Sequence, residues 1–62
     1  MGKLTVETIV RFMESGSWRI RQVAMMASIG RQDVPLDLIQ KGLRDGDANV
    51  QCAASKACKD RS

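Results

Sequence analysis

The side chains able to do covalent or acid–base chemistry are few. The 62-residue chain carries two cysteines, Cys52 and Cys58, and has neither histidine nor tyrosine. The commonest general base and commonest metal-binding side chain are therefore missing. Glu7 and Glu14 fall on one face of a predicted helix, with nothing else converging on them. Neither cysteine has a base near it to generate a thiolate. If both lie on one helix, six positions turn them about 120° apart and separate them by about 9 Å along the axis. A disulfide needs Cα atoms within about 7 Å, so the two do not pair within one helix. Zinc lacks a ligand set as well. These residues imply no catalytic group, no cofactor, no metal and no small-molecule substrate. Two reduced thiols used as small apolar side chains point to a cytoplasmic protein.

The elements around these residues must come from one small domain, residues 1–62. Apolar residues make up 44% and charged residues 27%, the balance of a globular chain. The net charge of +3 is compatible with nucleic acid or acidic protein surfaces as partners. No run reaches the roughly 18 apolar residues of a membrane span. The opening Met1-Gly2-Lys3-Leu4-Thr5-Val6 resembles an acylation signal, but Val6 stands where Ser or Thr is needed. No membrane partner is expected.

Laying Ile9 over Ile39 aligns the two halves without a gap. In the same register Gly16 meets Gly46, Ala24 meets Ala54, Ala27 meets Ala57 and Arg31 meets Arg61. Each half reads as a helical hairpin, repeat 1 over 4–33 and repeat 2 over 34–62. Val6, Ile9, Val10 and Met13 follow helical spacing and place a helix over about 4–15, with Phe12 widening the stripe. Gly16 suits a left-handed C′ position and Ser17 an N-cap. A second helix, about 18–29, sets Ile20, Val23, Ala24 and Ala27 on its inner face, and Gly30 closes it. Pro35 fits the first turn of a third helix over about 35–44, with Leu36, Ile39 and Leu43 inward. Asp47 caps a fourth helix over about 48–60, which turns Val50, Ala53, Ala54 and Ala57 inward. Nothing alternates with period two, so the fold class is all-α: two antiparallel hairpins of four helices.

The stretch from Leu43 to Ala54, Leu-Arg-Asp-Gly-Asp-Ala-Asn-Val-Gln-Cys-Ala-Ala, resembles the core of a HEAT repeat. Met13, Trp18-Arg19-Ile20-Arg21 and Val23-Ala24 match that pattern in repeat 1. The period, set by the step from Ile9 to Ile39, is shorter than the usual 40–47 and is similar to the short HEAT-like units of phycobilin lyases. The resemblance implies a minimal α-solenoid of two stacked hairpins. It also implies a bond between a turn Asp and a second-helix Arg of neighbouring units. Repeat 1 supplies Arg21 but has Ser15 for the Asp; repeat 2 supplies Asp45 but has Gln51 for the Arg. One inter-repeat pair, Arg21 with Asp45, is thereby expected. In such arrays the second helices line a concave binding face.

Trp18, Met25 and Ile29 lie opposite the expected inner face of the second helix, with Met26 to one side. Repeat 2 has Ala48, Ser55, Lys59 and Lys56 at the matching positions. Three uses are open: filling the groove between hairpins, burial in a homo-oligomer, or a site for another protein. The second helices also collect Arg19, Arg21, Arg31, Lys56, Lys59 and Arg61 against Asp60 alone. These features imply a non-enzymatic interaction module, a small scaffold or regulator that self-associates. It would bind protein through Trp18, Met25, Met26 and Ile29 with Arg19, Lys56 and Lys59. The alternative is a binder of nucleic acid or acidic partners through the basic face.

Overall fold

Side-chain capping marks where the first and last helices start. Thr5 sits at an extended N-cap, and its Oγ1 accepts the Thr8 N–H at 3.1 Å, opening α1, Val6–Met13. Asp47 does the same for α4, Ala48–Arg61, accepting the Asn49 N–H at 2.8 Å. Between them lie α2, Trp18–Ser28, and α3, Leu36–Leu43. The computed structural model describes residues 4–61; Met1, Gly2 and Lys3 of the opening motif lie outside them. Among the described residues every regular element is an α-helix. None is long and apolar enough to cross a membrane.

The helix starts keep the register of the sequence alignment: Val6 of α1 matches Leu36 of α3, and Trp18 of α2 matches Ala48 of α4. α1 packs on α2, α3 packs on α4, and the most extensive contact joins α2 to α4. α2 and α3 each touch all three other helices. The core runs through these contacts: Ile9, Met13, Ala24, Met25, Val34, Ile39, Val50, Ala53, Ala54 and Ala57. Four of these ten are alanines, which lets the helix backbones approach closely.

The position of α2 changes which of its residues are inside. The inward face is half-buried Arg21 with buried Ala24, Met25 and Ser28, one residue on from the expected Ile20, Val23, Ala24 and Ala27. Ile20 and Val23 are 40% and 46% exposed. One residue is about 100° of helix rotation. α4 keeps the expected face, with Val50, Ala53, Ala54 and Ala57 all buried. Met25 is therefore core and no part of an exposed stripe. Its side chain fills the space over Gly42, where an added Cβ would fall within 2.9 Å of Ala54 Cβ and 3.0 Å of Met25 Cγ. Ser28 is buried too, and its hydroxyl donates to the Ala24 carbonyl at 2.8 Å, so its burial leaves no polar atom unsatisfied.

Several local expectations are corrected. Gly16 does not take the left-handed conformation; among the described residues only Gly30, φ 77°, has positive φ, and it ends α2. Ser17 occupies the N-cap position of α2 without a side-chain capping bond. Pro35 is the N-cap of α3 rather than part of its first turn. Leu36 and Leu43 are half exposed instead of inward, whereas Val34, in the loop before Pro35, is fully buried.

Gly42→Ala is expected to destabilise the chain by about 1–3 kcal/mol through overpacking against Met25 and Ala54. Urea unfolding measures this, and a companion Met25→Ala change should recover part of the loss. Equal loss with and without the Met25 change would contradict the packing described.

Candidate functional site

The two hairpin turns are built alike. Ser15 Oγ accepts the Ser17 N–H at 3.1 Å, and Asp45 Oδ1 accepts the Asp47 N–H at 2.9 Å. From the second helices, Arg21 Nη1 donates to the Ser15 carbonyl at 2.8 Å, and Gln51 Nε2 donates to the Asp45 carbonyl. Ser15 and Gln51 thus make the same local bonds as Asp45 and Arg21 at the matched positions. They lack only the charge that reaches a neighbouring hairpin.

That charge is used once. Arg21 Nε donates to Asp45 Oδ2 at 2.7 Å and Nη2 to Oδ1 at 3.1 Å, a bidentate pair across the hairpins. The side chains are 20% and 9% exposed. Arg21 also holds Ser15, so one guanidinium joins both turns. The hydrogen bond from Arg21, helped by the Asp47 N–H, keeps the Asp45 carboxyl below the usual carboxylate range against the opposing effect of desolvation. A second arginine has a similar task that its sequence position did not disclose. Arg31 donates through Nε and Nη2 to Asp33, at 3.0 and 2.6 Å, and through Nη1 to the Leu4 carbonyl. It ties the start of the first hairpin to the loop between hairpins.

These pairings shrink the expected basic face. Arg21 and Arg31 are committed to carboxylates, and Arg61 lies outside the described side chains. Arg19, Lys56 and Lys59 remain on the surface, with Arg19 Cζ 5.5 Å from the centroid of the Trp18 ring. Trp18, Met26 and Ile29 are exposed, Met26 at 55%. Met26 and Ile29 flank a groove of about 150 Å³ between α2 and α4, completed by Gln22, Asn49, Cys52, Ala53 and Lys56. The structure thus brings Met26, Ile29 and Lys56 together, sets Trp18 and Arg19 against each other, and removes Met25 to the interior.

Cys52 is exposed and Cys58 partly buried; both are free thiols on α4. Glu7 pairs with Arg11 at 3.3 Å on the exposed side of α1. Among the described residues no group of acidic, cysteine or histidine side chains is arranged to hold a metal ion. Family models, curated proteins and solved structures give no match to this chain.

A double-mutant cycle between Arg21 and Asp45 is expected to give a coupling of about 1–3 kcal/mol at neutral pH. Because folding lowers the Asp45 pKa, its contribution is present above about pH 4 and is lost as pH falls through the folded value. Urea unfolding from pH 7 downward should show wild type losing more stability than Asp45→Asn. Parallel pH profiles would count against the assignment.

Proposed function

We propose that this chain is a non-enzymatic protein-interaction module, a small scaffold or regulator made of two HEAT-like hairpins. The observation that carries the reading is the outer side of α2. Trp18, Met26 and Ile29 stay exposed there, while the matching positions of α4 are Ala48, Lys56 and Lys59. Since the two hairpins share their turn bonding, this difference is a property of the surface rather than of the hairpin's own packing. Exposed apolar side chains beside a groove and a polar rim are the usual make-up of a protein contact site. A Trp stacked by Arg19 and a flexible Met are side chains that anchor such contacts.

Support for the HEAT-like reading comes from the turn bonds that recur at matched positions of both hairpins and from the single Arg–Asp link between them. The alternative, nucleic acid or an acidic partner, would rely on Arg19, Lys56 and Lys59. The engagement of Arg21 and Arg31 with carboxylates weakens it.

Immobilised protein should retain a protein partner that is lost with Met26→Glu and with Trp18→Ala, at salt concentrations that strip nucleic acid. Retention unaffected by either change, or confined to nucleic acid and abolished by salt, would contradict the reading.

A further inference from the structure

Comparing burial at matched positions of the two hairpins separates the surfaces of the molecule by origin. Where two matched positions differ, the difference reports what the neighbouring hairpin covers. Val50, Ala53 and Ala57 are buried in the second hairpin, while their partners Ile20, Val23 and Ala27 are exposed or half buried in the first. Val34 and Gly42 are buried, while Leu4 and Phe12 are half buried. These residues form a leading face, covered in the second hairpin because another hairpin stands in front of it. The opposite set behaves in reverse. Met13, Met25 and Ser28 are buried in the first hairpin, while Leu43, Ser55 and Cys58 have surface exposure in the second. They mark a trailing face, which the first hairpin covers with the second.

The first hairpin therefore ends in an open leading face, and the second in an open trailing face, each with half-exposed large apolar side chains: Ile20 and Val23 on one, Leu36 and Leu43 on the other. We infer that these two ends bind each other, so that copies of this chain stack head to tail. Size and charge both match a second copy. Within the chain, large Met25 lies over small Gly42. At the junction between copies the same register sets small Ser55 against large Phe12, so the pair again holds one large and one small residue. Within the chain Arg21 meets Asp45; at the junction Gln51 would meet Ser15, a neutral pair that strands no charge. A foreign hairpin with the usual Arg would find no carboxylate at Ser15. The contact is heterologous, so it grows as an open series rather than stopping at a dimer. Trp18 and Ile29 of the proposed function lie across α2 from Ile20, Val23 and Ala27, so the two ideas are separated with Trp18→Ala.

The test is mass in solution with reductant present, by light scattering across a hundredfold concentration range. The wild type should rise past twice the protomer mass. Val23→Glu blocks the leading face and Ser55→Glu the trailing face, and each alone should be monomeric. Their equimolar mixture should form a one-to-one dimer through the two unspoiled faces. Circular dichroism checks that each variant is folded, with Ile20→Glu replacing Val23→Glu if that variant is not. A wild type that stays monomeric throughout, or that stops at a dimer, overturns the inference. So does a mixture that remains monomeric, since the two unspoiled faces would then not bind each other, and so does a single variant that dimerises alone, since two like faces would then be pairing. Loss of stacking leaves partner retention through Trp18 untouched, and loss of retention in Trp18→Ala leaves stacking untouched.

Discussion

The arrangement of the two hairpins hangs on the Arg21 guanidinium. Three of its hydrogen bonds are accounted for: two to Asp45 in the second turn and one to the Ser15 carbonyl in the first. A planar fork is suited to this because it can bind a carboxylate through two donors and still offer a third elsewhere. Asp45 in turn fixes the Asp47 N–H, and Asp47 caps α4. A chain of bonds thus runs from the first turn to the start of the last helix. Lysine at position 21 would keep the charge and lose the fork.

This link holds α2 against the second hairpin. The buried residues of α2, Ala24, Met25 and Ser28, lie on one side of the helix. Met25 and Ala24 are inside, Arg21 reaches the second hairpin, and Ile20, Val23 and Met26 are left outside. α4 meets neighbours on fewer sides, and its exposed side is polar, with Ser55, Lys56 and Lys59. The two second helices thus occupy the same place in their hairpins with buried faces about one residue apart.

The helix order, the hairpin turns and the face of α4 were legible because periodicity and turn residues are local signals. The Arg21–Asp45 pair came from the family resemblance, not from periodicity. The face of α2 was not legible, since Trp18, Ile20, Val23, Met25, Met26 and Ile29 leave no single apolar stripe to read. Which of them turns inward is decided by α3 and α4, through Gly42 making room for Met25. The pairing of Arg31 with Asp33 and Leu4 was hidden for a similar reason: it depends on where the chain start meets the inter-hairpin loop. Basic residues counted along a sequence look free until their partners are placed.

If the interface between hairpins carries the fold, neither half should stand alone. Helices of eight to fourteen residues are marginal in water without packing partners. The direct measurement is circular dichroism of peptides 1–33 and 34–62, separately and mixed. The account predicts little helix in either peptide and a gain of helix on mixing. Full helicity in the second peptide alone would show that Arg21, Met25 and their partners join finished units rather than making them.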